Sequence, residues 1–291
     1  MLEQVINFSQ TTKLVIVQVK SQAENLTQLI AQSSLVDNKN VDHPRNFESQ
    51  NELKQFYDNF GYVSVKNLIP EDLIQKVRED LKSVFEPYSV SKENPIDSAI
   101  IALDREDKPK LYELHSASSK MLSLRSVALI LSDFLSNISH SSKPVFEKSC
   151  GWLLGIPQDT RLTYDFHQES NYMKDAGDIF NFHYPLCRTS TTQNGTMSIL
   201  PSSHLYGTLD FEKKRVSQDS YTNLVPKDIE KISQEIPELH CQLDVGDCVV
   251  FHKNLIHKSN FNSSELCRPV GIARLTQSLD GEWTNRKPED L

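Results

Sequence analysis

"GDCVVFHKNLIHKSNFN", residues 246–262, decides how the second half of this chain folds. A turn signal, Asp244-Val245-Gly246-Asp247, precedes an apolar run that ends near His252. A short polar stretch follows, and the chain returns at His257. That pattern is a strand, a turn and a returning segment. Similar short strand-like runs cover 145–154, 161–168, 178–186, 196–200, 239–243, 248–252 and 268–276. Turn residues such as Asn194-Gly195 and Pro201-Ser202 punctuate them. Many short strands separated by turn signals predict a barrel or sandwich, here a jelly roll. "VPKDIEKISQEI" (225–236) reads as a helical insertion between strands.

Upstream the period changes to that of helices. Ser49 and Glu52 form a capping box, and Leu53, Phe56, Tyr57 and Phe60 follow at helical spacing until Gly61 ends the run. "YVSVK" (62–66) alternates as a strand. Pro70, Glu71 and Asp72 open a second helix, whose expected buried face is Leu73, Val77, Leu81 and Val84. "SLRSVALILSDFL" (123–135) predicts another. Helices first and strands later give an α+β chain, with helices packed on a cupin-like core. Residues 1–45 read as an N-terminal extension, with a strand over 13–19, a short helix over 21–32 and then a loop. Residues 46–291 read as one domain with a helical entry over 49–87.

Composition narrows the partners. The 291 residues carry a net charge of −8, without a basic stripe, so nucleic acid has little to bind. No apolar run approaches the ~20 residues a membrane span needs, and the first residues lack a signal-peptide pattern. Five cysteines without a C-x-x-C pair suit reduced thiols in the cytoplasm. Cys241 and Cys248, near His240 and His252, match no zinc spacing and read as small buried apolar groups. "EKKR" (212–215) reads as a solvated loop.

The chemistry is concentrated in "FHQES" (166–170). On a strand, His167 and Glu169 point to the same face, so an imidazole and a carboxylate can meet one metal ion. His257 is the candidate second histidine. Two histidines and one carboxylate form the facial triad of non-haem Fe(II) oxygenases, which leaves positions open for a cosubstrate and O2. That cosubstrate, 2-oxoglutarate, needs a fixed cation for its distal carboxylate. Arg268 stands eleven residues after His257 (268 − 257 = 11), and its planar fork suits a carboxylate. Ser259 could add a hydroxyl. Other readings stay open: His252 as a rival ligand, His204 as a structural group at the rim, His183 as a pocket or core histidine, and Arg274 as an alternative anchor.

Together these stretches resemble the phytanoyl-CoA dioxygenase-like family of Fe(II)/2-oxoglutarate oxygenases. The resemblance runs from about residue 50 to 276 and rests on "FYDNFGYVSVKNLIPEDLIQKV" (56–77), "HQES" (167–170), "NGTMSILPSSH" (194–204), "GDCVVFHKNLIHKSNFNSS" (246–264) and Arg268. It implies a double-stranded β-helix, with His167, Glu169 and His257 as iron ligands and Arg268 and Ser259 on the cosubstrate. It also implies that Gln168 and Tyr184 line the cosubstrate. The expected activity is hydroxylation of an unactivated C–H in a small-molecule metabolite, releasing succinate and CO2. The family usually has Asp where this chain has Glu169. The extra methylene keeps a second reading in view, a non-catalytic jelly-roll binding protein with a degenerate site. Halogenating relatives lack this carboxylate altogether, so its presence argues against halogenation. Arg161, Tyr164, Asn171, Tyr172 and Lys174 flank the motif and are expected near the entrance, where they suit a small polar or mildly amphipathic substrate.

Overall fold

A computed structural model describes residues 50–277, apart from 141–144, 162, 174–177, 216 and 218–219. The strand and helix expected within 1–45 lie outside the described residues.

The chain enters through α1 (Gln50–Phe60), β1 (Tyr62–Val65) and α2 (Glu71–Phe85). Gly61 ends α1 at φ 75°, and a Cβ there would meet the His204 ring at 2.4 Å, so both backbone and space favour glycine. The buried face of α2 is Ile74, Val77, Leu81 and Phe85. It is rotated by a residue from the expected one, and Leu73 and Val84 pack only at its edge. Sequence periodicity also missed α3 (Pro95–Glu106) and α4 (Lys108–Ser118). In α4 only Leu111 and Ser118 are fully buried, too few to show a stripe. The long apolar helix is α5 (Leu122–Ile138).

Among the described residues, ten strands follow the jelly-roll plan. After β1 come β2 (Val145–Leu153), β3 (Asp178–Pro185), β4 (Met197–Ile199), β5 (Phe211–Lys214), β6 (Asn223–Pro226), β7 (Leu239–His240), β8 (Cys248–His252), β9 (His257–Ser259) and β10 (Val270–Gln277). The short helix α6 (Ile229–Glu235) fills part of the predicted insertion. The major sheet is antiparallel in the order β1-β8-β3-β10-β2, and a minor sheet runs β7-β4-β9. "EKKR" is not a loop: β5 pairs with β6 as a separate hairpin, and only the inner arm is buried.

Alternation along the strands sorts side chains between two cores. Phe180, Phe182 and Tyr184 of β3, with Val250 of β8 and Ala273 and Leu275 of β10, face the helices. Phe251 and Val249 of β8 meet Met197 and Ile199 of β4 in the space between the sheets. The residues of β3 and β10 that share this inner face, Asn181, His183, Ile272 and Arg274, line a cavity of about 310 Å³.

Among the described residues, no helix is long and apolar enough to cross a membrane.

Candidate metal centre

The described residues of 161–168 do not form the expected strand. Its amides are diverted: Asp165 N–H donates to the Asn223 side chain, and Phe166 N–H to the Asp165 carboxylate. An isolated antiparallel bridge joins His167 and His257, and Ser259 N–H donates to the Tyr164 carbonyl at 2.9 Å beside it. His167 N–H donates to the His257 carbonyl at 2.9 Å, and His257 N–H returns the bond at 3.1 Å. Side chains of such a reciprocal pair stand side by side, and the two imidazole centroids are 4.1 Å apart. Immediately afterwards the chain winds into a 3-10 turn, Glu169–Asn171. That turn, rather than strand alternation, brings the carboxylate back over the two rings.

The ligand atoms of His167, Glu169 and His257 lie within 4.8 Å of one another, and all three residues are buried. Glu169 Oε1 is 3.8 Å from His167 Nε2 and 3.6 Å from His257 Nε2. The extra methylene of Glu169 therefore does not carry its carboxylate out of reach. Each imidazole is oriented from behind. His167 Nδ1 is 2.7 Å from the Asp165 carbonyl and His257 Nδ1 is 2.9 Å from the Leu255 carbonyl. A carbonyl only accepts, so in the neutral rings Nδ1 carries the proton and Nε2 presents its lone pair. Burial, then the neighbouring His167, holds His257 below the usual histidine range against the pull of Glu169. Burial pushes Glu169 up, but the Arg274 guanidinium and the two histidines outweigh it and hold the carboxyl well below the usual range. Neutral imidazoles and an ionised carboxylate are the states a metal needs. A divalent ion with nitrogen ligands near 2.0–2.1 Å fits this donor set after only small movements.

Arg268 is buried just before β10. Its Nε donates to the Asn194 carbonyl at 3.0 Å, while Nη1 is buried with no partner among the described residues. Burial alone lowers its pKa to about 10. Among the described residues no carboxylate pairs with this guanidinium. Ser259 lies on β9 opposite Met197, and both line the cavity.

Two residues expected beside the cosubstrate sit elsewhere. Tyr184 is fully buried among the helix-facing side chains, with its ring against Gly271, where a Cβ would meet it at 2.0 Å. Its neighbour His183 has the inward face instead and lines the cavity, with an Nε2 that has no partner among the described residues. Burial, Arg268 and His257 hold His183 well below the usual histidine range. Only the strand's register could have distinguished the two. Gln168 also points away. Its amide donates to the Gly207 and Asn254 carbonyls and accepts from Leu209 N–H, which ties three segments together behind the site. His204 bonds the Asp58 carbonyl at 2.9 Å, and His252 packs 5.3 Å from it rather than with the candidate ligands.

Of the flanking residues, Tyr164 and Tyr172 line the cavity and frame His167 at 5.4 and 5.7 Å. Arg161 is spent on Asp104 and Asp159, and Asn171 is buried. Lys174 lies outside the described residues. Cys241 and Cys248 are buried free thiols, both pushed up by burial. Arg274, which spacing marks only as an alternative anchor, grips Glu169 through Nε at 3.0 Å and Nη2 at 3.1 Å.

Comparison with known proteins agrees with this geometry. The phytanoyl-CoA dioxygenase (PhyH) family model matches residues 57–270. A probable phytanoyl-CoA dioxygenase of Caenorhabditis elegans is 22% identical over 265 residues, covering 79% of this chain and 81% of the relative. The peroxisomal phytanoyl-CoA dioxygenase of Mus musculus is 22% identical over 223 residues, covering 74% of this chain and 64% of that one. Among solved structures, the epimerase SnoN in complex with Fe3+, alpha ketoglutarate and nogalamycin RO is similar in fold. Its TM-score is 0.53 at 17% identity, over 82% of this chain and 92% of that chain. The family match spans most of the chain and includes the two histidines and the carboxylate, so this protein belongs to the phytanoyl-CoA dioxygenase family and is an Fe(II)- and 2-oxoglutarate-dependent dioxygenase.

Proposed function

We propose that His167, Glu169 and His257 hold the Fe(II), that Arg268 and Ser259 hold the distal carboxylate of 2-oxoglutarate, and that the protein hydroxylates a small-molecule metabolite at an unactivated C–H. The observation that carries this reading is the buried, unpartnered Nη1 of Arg268, in a chain whose three candidate ligands already converge. A charge left unpaired in the interior is costly, and a bound carboxylate would remove the cost.

When bound, iron and 2-oxoglutarate supply the oxidation, taking up O2 and releasing succinate and CO2 as the substrate is hydroxylated. The chain's own residues do the rest. The carbonyls of Asp165 and Leu255 keep the imidazoles in the ligating tautomer. His183, inward-facing and neutral, offers a hydrogen-bonding nitrogen to the cosubstrate without adding positive charge beside Arg268. Phe251, Met197 and Ile272 make the floor apolar and limit water. Tyr164 and Tyr172 at the cavity suit a substrate with both polar and apolar surface. A reducing, cytoplasmic setting fits the five free thiols.

The test is turnover. Protein reconstituted anaerobically with Fe(II), then given 2-oxoglutarate, ascorbate and O2, should form succinate, and a metabolite panel should reveal a product heavier by one oxygen atom. Iron binding without any 2-oxoglutarate binding would contradict the reading.

A further inference from the structure

Arg274 is placed by the sheet. It sits on the inner face of β10, opposite Asn181 of β3 and Ser149 of β2. The β10–β2 register shifts between Arg274 and Leu275. Such bulges commonly re-aim a side chain beside a site. The guanidinium is braced by Ser149 Oγ at 3.4 Å from Nη1 and takes both oxygens of Glu169. Those oxygens are not equivalent. Oε1 accepts from Arg274 Nη2 at 3.1 Å and also faces both histidine Nε2 atoms, at 3.6 and 3.8 Å, whereas Oε2 meets the guanidinium through Nε at 3.0 Å and faces neither histidine.

A glutamate in this place has slack that an aspartate lacks. Unrestrained, it can turn both oxygens to one ion. That second bond would occupy a position that the cosubstrate or O2 requires. We propose that Arg274 is a positioning residue that keeps Glu169 on the metal through Oε1 alone, by retaining Oε2. The proposal rests on the metal reading above. It also accounts for how this chain tolerates the longer carboxylate.

Co(II) is a suitable probe, because its visible ligand-field spectrum reports coordination without turnover. Wild-type, Arg274→Met and Arg274→Lys proteins are loaded with Co(II) and titrated with 2-oxoglutarate without O2. In Arg274→Met, Co(II) should still bind with an altered spectrum, and 2-oxoglutarate affinity should fall about tenfold or more, the usual scale for losing a group that orients a ligand. Arg274→Lys, which can hold one oxygen, should recover most of the wild-type spectrum and affinity. In a Glu169→Asp background the Arg274→Met effect should largely vanish. An unchanged spectrum and affinity in Arg274→Met, or an equal loss in both backgrounds, would overturn the proposal. Failure of the wild-type protein to take up Co(II) at all would contradict the metal site itself.

Discussion

His167 and His257 bond to each other through both backbone amides, at 2.9 and 3.1 Å, although ninety residues separate them (257 − 167 = 90). This bridge does what a long strand would otherwise do. It fixes the register of two segments at the residues whose rings must meet, and a slip of one residue would turn one ring away. The candidate metal centre is therefore built on backbone pairing, and its side chains need little further adjustment.

Loss of a ligand should accordingly abolish loading without unfolding the chain. Even changes behind the ligands cost about 10- to 100-fold in such centres. His167→Ala, His257→Ala and Glu169→Ala should each lose at least ~100-fold in Fe(II) affinity, read by metal analysis after anaerobic reconstitution and desalting. Stoichiometric iron in His257→Ala would show that another group, such as His252, completes the site.

Arg268 separates cosubstrate binding from stability. A charge-assisted pair is worth about 1.5–3 kcal/mol, so Arg268→Met should weaken 2-oxoglutarate binding roughly 10- to 100-fold while iron is retained. The same change removes an unpaired buried charge, so the cosubstrate-free variant should melt no lower than wild type. Stabilisation by added 2-oxoglutarate, which follows affinity, should disappear. Differential scanning fluorimetry with and without the cosubstrate reads both effects.

Tyr184 and Gly271 form a packing pair. A methyl group at 271 would meet the Tyr184 ring at 2.0 Å, so Gly271→Ala should destabilise by about 1–3 kcal/mol. The Tyr184 hydroxyl is buried and unpaired. Tyr184→Phe should thus be neutral or mildly stabilising and leave 2-oxoglutarate affinity unchanged. A loss of that affinity would place Tyr184 at the cosubstrate after all.

His252 gives the stability a pH dependence. Its Nδ1 accepts from Asn254 N–H at 3.1 Å, which requires the neutral ring. Burial, then His204 and Lys253, depresses its pKa to about 4. An unfolded histidine titrates near 6.5, so the unfolded state binds the proton first as pH falls. The contribution of this group is fully present above about pH 6.5 and is lost between there and its folded pKa, a change of about 3 kcal/mol. His252→Gln should melt less steeply with falling pH than wild type between pH ~7 and ~5. Equal slopes would show that His252 does not titrate as its burial implies.

Part of the candidate site is legible because His167, Glu169, His257 and Arg268 stand in a recognisable order, and the structure brings the first three together. The strands followed from turn punctuation, and β2, β3, β8 and β10 fell close to their expected ranges. Other features depend on distant partners. The 161–168 segment has strand-like composition, yet Asn223 and Asp165 take its amides. Whether Tyr184 or His183 faces inward is a matter of one residue of register, which composition does not encode. Arg274 looked like a spare anchor because its partner, Glu169, is 105 residues away. Helix α4 buries only Leu111 and Ser118 and presents a weak periodic signal.

The most direct test of the metal and cosubstrate site is anaerobic titration of the Fe(II)-loaded protein with 2-oxoglutarate, followed by visible absorption. Chelation of one iron by the keto acid should produce a charge-transfer band in wild-type protein that saturates at one equivalent per chain and is absent from His257→Ala. An iron-loaded wild type that develops no such band, or a His257→Ala variant that does, would contradict the site described here.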